Sequence, residues 1–137
     1  MTTVPAASPI EVLTEAECWE YLRANSLGRF AVVGRDGVDI FPINYTTDDD
    51  SLLFRSAPGM KLVDLTANPR VAFEIDGTDQ RRRWSVVFRG VARRLDTDSE
   101  IEAAQIHKLK TQTPTDKWNY VRISPTSVTG RRFYSRR

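Results

Sequence analysis

Arg55, Ser56 and Lys61 are the residues of this chain best arranged for chemistry, because they flank a Pro58-Gly59 break. A pair of cations, a hydroxyl and the backbone amides exposed at the break could converge on one phosphate, the cations through charge-assisted hydrogen bonds. The surrounding elements follow from local pattern. Leu52 to Ser56 is apolar and aromatic and reads as a strand. Proline fixes φ and glycine accepts positive φ, so Pro58-Gly59 ends that strand. Met60, Leu62, Val63 and Leu65 then recur at roughly helical spacing. Asn68-Pro69 closes the helix, since the residue before a proline is pushed out of the α region. A helix N-terminus so aimed presents free N–H groups and a favourable dipole to an anion. The same residues also suit solvated surface charges and an ordinary turn, and one glycine makes a weaker phosphate signature than a Walker loop.

Length and composition set the frame. The 137 residues fit one domain, read here as residues 14–137 behind a loose N-terminal arm, residues 1–13. No apolar run approaches the roughly 20 residues of a membrane span. Met1 to Pro9 lacks the basic and apolar regions of a signal peptide. Cys18 is the single cysteine, which forbids an internal disulfide and makes a cytoplasmic setting the default expectation. Arg81, Arg82, Arg83, Arg89, Arg93 and Arg94 form an acid-free stretch, and the chain ends in further arginines. Such charge could attract nucleic acid, but no recognition helix or stacking-platform motif accompanies it. One histidine, His107, and one cysteine supply neither a zinc constellation nor a Ser-His-Asp set, and no dinucleotide fingerprint follows a strand.

Thr14 to Glu17 is a capping-box pattern, so a helix should begin near Glu15, bury Cys18, Trp19 and Leu22, and end between Asn25 and Gly28, with Gly28 as its C-cap. Arg29 to Gly34 and Val38 to Thr46 read as strands of a hairpin turning at Asp36-Gly37. Alternation puts Val38, Ile40, Pro42 and Asn44 on one face and Asp39, Phe41, Ile43 and Tyr45 on the other. Pro42 cannot donate to a ladder and should sit where pairing stops. Val71 to Ile75 is a strand ended by Asp76-Gly77, Thr78 to Arg83 a charged loop, and Trp84 to Leu95 a long strand bent near Gly90. A second helix is expected from about Ser99 to Lys110, and the last strands at Trp118 to Ile123 and Val128 to Tyr134. Many short strands with hairpin signals and few helices argue for a mainly β protein, a barrel of about six or seven antiparallel strands with flanking helices.

Phe54-Arg55-Ser56, Gly59, Lys61-Leu62 and Asn68-Pro69-Arg70-Val71 together resemble the central motif of the pyridoxamine 5'-phosphate oxidase-like FMN-binding split barrels. The resemblance continues upstream through Phe41 to Tyr45 and downstream through Trp84 to Leu95, and covers about Thr14 to Phe133. It implies a split β-barrel, a homodimer with flavin between the chains, and FMN as cofactor, with a deazaflavin as the alternative. It assigns the phosphate to Arg55, Ser56 and Lys61, the ring to Pro42, Ile43, Asn44 and Tyr45, and counts Leu62 among the cofactor-binding residues. Backbone groups of Ile43 and Tyr45 or the Asn44 side chain would reach the ring's polar edge. Ser85 falls where the oxidases place a polar residue near the flavin, though a plain strand start would also explain it. Trp118 suits either the core or a cover for the partner's ring.

The resemblance also has limits. Relatives conferring nitroimidazole resistance or binding haem carry a histidine where this chain has Arg55, and the terminal Arg/His motif of the B6 oxidases is replaced by Gly130-Arg131-Arg132-Phe133. Neither haem binding nor B6 oxidation is therefore expected. The reading is an oxidoreductase acting on a small molecule through flavin, with a nicotinamide donor as a further partner. The alternative is a flavin or deazaflavin carrier without dedicated catalysis. The dimer's apolar interface is expected partly from Trp84 to Phe88, and Arg81 to Arg83 with the C-terminal arginines either steer an anionic donor or are simply solvated.

Overall fold

The computed structural model describes residues 10–56, 65, 67–95 and 119–134. Seven strands and one helix are found there: β1 (Glu11–Val12), α1 (Glu15–Ala24), β2 (Leu27–Gly34), β3 (Gly37–Asp48), β4 (Ser51–Ser56), β5 (Arg70–Asp79), β6 (Arg82–Arg94) and β7 (Asn119–Tyr134). The order β1-β7-β4-β3-β2-β5-β6, with β6 also paired to β7, closes the sheet into an antiparallel barrel. The expected fold class is the one observed. Period-2 alternation sends Phe30, Phe54, Phe73 and Phe88 inward, each at most 1% exposed. Phe30 and Phe54 lie 4.8 Å apart between centroids, as do Tyr45 and Phe73. Such aromatic contacts add to the apolar burial that holds the strands in register.

Helix α1 begins at the expected capping box: the Thr14 hydroxyl accepts from the Glu17 N–H, and Glu17 accepts from the Thr14 N–H. Cys18, Trp19 and Leu22 are buried against the barrel. The last carbonyls of a helix have no partner within it. Here the Tyr45 hydroxyl donates to the Leu22 carbonyl at 2.7 Å, and the Asn25 amide donates to that of Tyr21 at 2.8 Å. The helix thus ends at Asn25, and Gly28 is not its cap. Gly28 lies inside β2, where a Cβ would stand 2.3 Å from the Phe73 ring.

Other boundaries differ from local expectation. The arm expected to be loose through residue 13 ends in order: β1 pairs with β7, and Leu13 donates to the Gly130 carbonyl at 3.0 Å. The first hairpin reverses through Arg35-Asp36, since Gly34 pairs with Gly37, which opens β3 at φ +123°. Strand β5 runs through Asp76-Gly77, with Gly77 opposite Trp84. The turn comes at Gln80-Arg81, both at positive φ (49° and 71°), so Arg82 and Arg83 belong to β6 rather than to a loop. The two final strands are one continuous β7. Its Pro125 is tolerated because a bulge sits there: Arg89 pairs with Ser127 and Gly90 with Pro125, leaving Thr126 extra. The bend expected at Gly90 is this bulge, where a Cβ would meet the Ser124 carbonyl oxygen at 2.2 Å. Leu65 and Ala67 are helical, and the helix is left before Pro69, as the sequence implied. The expected helix from Ser99 to Lys110, together with His107 and Trp118, lies outside the described residues.

Candidate functional site

The site expected from the sequence centres on the junction of β3 and β4. Their ladder ends at the Tyr45–Phe54 pair, both side chains buried. One step further, alternation turns Asn44 and Arg55 to the outer face of the barrel. Asn44 is exposed there and Arg55 half-buried. On the other side of β4, Arg55 pairs with Tyr120 and Ser56 with Asn119. Pro42 follows Asn44 on the outer side of β3 and is exposed. The fold therefore gathers Pro42, Asn44, Arg55 and Tyr120, with Ser56 at the strand end. Tyr120 had no sequence signal. Lys61 and Leu62 lie outside the described residues.

Ile43 and Tyr45 play a different part from the one expected. Their side chains are buried, and the Tyr45 N–H donates to the Ser26 carbonyl at 2.9 Å. In an antiparallel ladder every second residue bonds to the same neighbour. The backbone groups of Ile43 and Tyr45 are thus committed to the β2 side. Those of Pro42 and Asn44 face the opposite edge, which carries no partner from Gly37 to Asn44 among the described residues. Pro42 sits on that open edge, where its missing donor costs nothing. Burial pushes the Tyr45 phenol well above the ordinary tyrosine range, so it stays neutral and structural. A ring seeking hydrogen bonds at this edge would meet the Asn44 N–H and the Pro42 carbonyl.

Ser85 is not brought to Arg55 within one chain. Across the outer face the rows read Asn44–Leu27, then Asp76–Ser85–Arg131. Ser85 therefore stands three strand spacings from Asn44, about 14 Å. Beside Pro42 the structure adds an ion cluster that sequence reading overlooked. Arg29 pairs with Pro42 on one side and Glu74 on the other. Its Nε donates to Glu74 Oε1 at 2.9 Å, and its terminal nitrogen to Asp76 Oδ2 at 2.9 Å. Burial raises the Glu74 pKa, whereas the hydrogen bond from Glu74 lowers that of Asp76. The signal was available: Phe73-Glu74-Ile75-Asp76 alternates, which puts both carboxylates on one face.

Trp84, Val86 and Phe88 are buried in this chain's own core. Among the apolar side chains left outside are Leu27, Val33, Val38, Ile40 and Val91, between 39% and 67% exposed. Val33, Val38 and Val91 line a cleft of about 580 Å³ floored by Ala31 and Ala72, with Arg70 and Arg89 in its wall, and Ile40 pairs with Ala31 beside it. No helix among the described residues is long and apolar enough to cross a membrane.

Comparison with known proteins agrees with this architecture. The sequence matches the family described as pyridoxamine 5'-phosphate oxidase over residues 14–132. It is 39% identical to an uncharacterised Mycobacterium tuberculosis protein over 83 residues, 61% of this chain and 76% of that one. Among solved structures, a Corynebacterium glutamicum protein named as a candidate pyridoxamine 5'-phosphate oxidase superposes with TM-score 0.83 and 41% identity, covering 92% of this chain and 99% of that one. The FAD binding protein of Mycobacterium smegmatis gives TM-score 0.77 and 38% identity over 90% and 98% of the two chains. A FAD-binding protein of Mesorhizobium loti gives 0.78 and 27% over 90% and 97%. The chain belongs to the pyridoxamine 5'-phosphate oxidase family.

Proposed function

We propose that the protein is a flavin-binding oxidoreductase of this family that works as a homodimer on a small molecule, with FMN as its cofactor. The observation that carries the reading is the meeting of Asn44 and Arg55 on one outer face, beside an open strand edge. The residues fit the group: a cation at the end of β4 suits a phosphate, and the outward ring of Pro42 with the Asn44 N–H suits a flat heterocycle with a polar edge. Ser56, Lys61 and Leu62 complete the clamp in this reading. Bound flavin supplies hydride and single-electron chemistry by itself. The chain's task is to hold it, orient it and keep water from it. Relatives named as FAD-binding support a flavin of some kind. A nicotinamide donor and a cytoplasmic setting belong to the same reading.

The homodimer rests on the uncovered apolar face. Val33, Val38 and Ile40 lie together on the outer face, with Val91 across Arg70 from Val33, and exposed apolar patches mark contact surfaces. A second copy laid there would cover this face and wall in whatever lies along Pro42 and Asn44.

The test begins with the protein as purified. A flavin absorption band, and release of FMN on denaturation identified by mass spectrometry, is the expected result. Release of a deazaflavin instead changes the cofactor but keeps the site. The Arg55→Ala/Lys61→Ala double variant should then lose FMN affinity by several orders of magnitude, since each charge-assisted contact contributes roughly 1.5–3 kcal/mol. Unchanged affinity in a folded double variant would refute the clamp.

A further inference from the structure

A separate cationic and aromatic patch lies on the outer face of β6 and β7, away from both the clamp and the aliphatic cleft. Ser85 pairs with Arg131 and Arg83 with Phe133. Directly opposed side chains on one face are about 5 Å apart, so these residues form one compact square. Arg83 and Arg131 are exposed, and among the described residues neither has an ion pair. The nearest carboxylates are already engaged: Asp76 with Arg29 at 2.9 Å and Asp79 with Arg82 at 3.1 Å. The square therefore holds two guanidinium groups at diagonal corners, neither in an ion pair among the described residues. Phe133 leaves 41% of its surface open beside them, and Val12 of β1, 78% exposed and paired with Arg131, extends the apolar rim.

We propose that this square binds the phosphorylated nucleoside half of a dinucleotide. Arg83 and Arg131 would take the phosphates, the Ser85 hydroxyl would donate to the same anion, and the base would lie on Phe133. A bare anion would need the arginines and the hydroxyl but would give no role to an exposed phenyl ring and aliphatic rim. A nucleic-acid strand would need a track of cations and several stacking rings. Following β6 outward from Ser85, the next outer residue is Val87, and Phe133 is the single exposed ring in the square. The observations therefore favour a small nucleotide. Its source is either the adenylate of FAD or that of a nicotinamide dinucleotide. That choice of source rests on the flavin reading above, whereas the square itself does not.

The experiment titrates ADP into flavin-stripped protein by calorimetry, for the parent, Arg83→Ser/Arg131→Ser and Phe133→Ala. ADP should bind the parent, and the arginine pair should weaken it at least tenfold. Phe133→Ala should weaken ADP by about tenfold, in line with one lost stacking contact, while leaving inorganic pyrophosphate unchanged. Circular dichroism checks that the variants, all at exposed positions, keep the fold. FAD and FMN affinities then separate the sources. If the arginine variant loses an FAD-over-FMN preference, the adenylate belongs to the flavin. If that ratio holds while NADH affinity falls tenfold, it belongs to the donor. Should ADP respond as expected with no flavin bound by any form, the flavin reading fails and the square stands. Equal ADP affinity in parent and arginine variant at low salt overturns the proposal, as does tight binding of an oligothymidylate with none of ADP.

Discussion

Ile40→Glu is the sharpest probe of the proposed assembly, because Ile40 is 65% exposed in the single chain yet sits amid the aliphatic patch. Full burial of such a side chain contributes roughly 1.5–3 kcal/mol. About two-thirds of that remains to be gained on pairing, about 1–2 kcal/mol per copy. A two-fold interface uses each residue twice, so loss of the isoleucine costs the dimer about 2–4 kcal/mol. At 1.4 kcal/mol per decade this is roughly 30- to 700-fold in Kd. Placing a carboxylate in an apolar contact adds a desolvation cost on top. The variant should therefore run as a monomer at micromolar concentration in sedimentation velocity, with the melting temperature of a well-folded barrel, while a Glu20→Gln control on α1 stays dimeric. Flavin affinity should fall with the dimer, because the partner covers the ring. A dimer of unchanged Kd in Ile40→Glu, or a flavin-loaded parent that is monomeric, would refute the argument.

Other consequences can be checked more simply. Tyr45→Phe removes the 2.7 Å bond to the Leu22 carbonyl and leaves that buried acceptor unsatisfied, so it should lower unfolding free energy by about 1–3 kcal/mol in denaturant titrations without touching flavin affinity. Gly28→Ala pushes a methyl to within 2.3 Å of the Phe73 ring, and overpacking of this kind should destabilise by about 1–3 kcal/mol, seen as a lower midpoint with unchanged m. Acid should release the N-terminal strand. The Arg132 hydrogen bond lowers the Glu11 pKa below 4.5, and the Thr14 N–H with Arg132 does the same for Glu17, so their stabilisation is present above pH 4.5 and is lost as pH falls through the depressed values. The Leu13 amide, bonded to Gly130, should then exchange faster at low pH than the β6–β7 amides, after correction for intrinsic rates; parallel protection would count against the latch.

The elements that the sequence determined by itself are those whose signals are local. Alternation along Val38 to Tyr45 correctly divided outer from inner residues, because strand period is a property of the backbone alone. The Thr14–Glu17 capping box worked for the same reason, its bonds lying within one turn. Family membership was also legible, since it rests on residue order. Tertiary structure decided what depends on neighbours far along the chain. Pro125 looked like a break and is a bulge, because Gly90 on β6 yields the room. Gly28 looked like a cap and is a seat for Phe73. Gln80-Arg81 hold positive φ without glycine, because the ten-residue ladder of β5 with β6 imposes that tight turn. Ile43 and Tyr45 offered backbone groups on paper, but the β2 ladder had already claimed them and left Pro42 and Asn44 at the open edge. Side-chain alternation can be read from one strand. Which backbone edge is free depends on which strands arrive beside it.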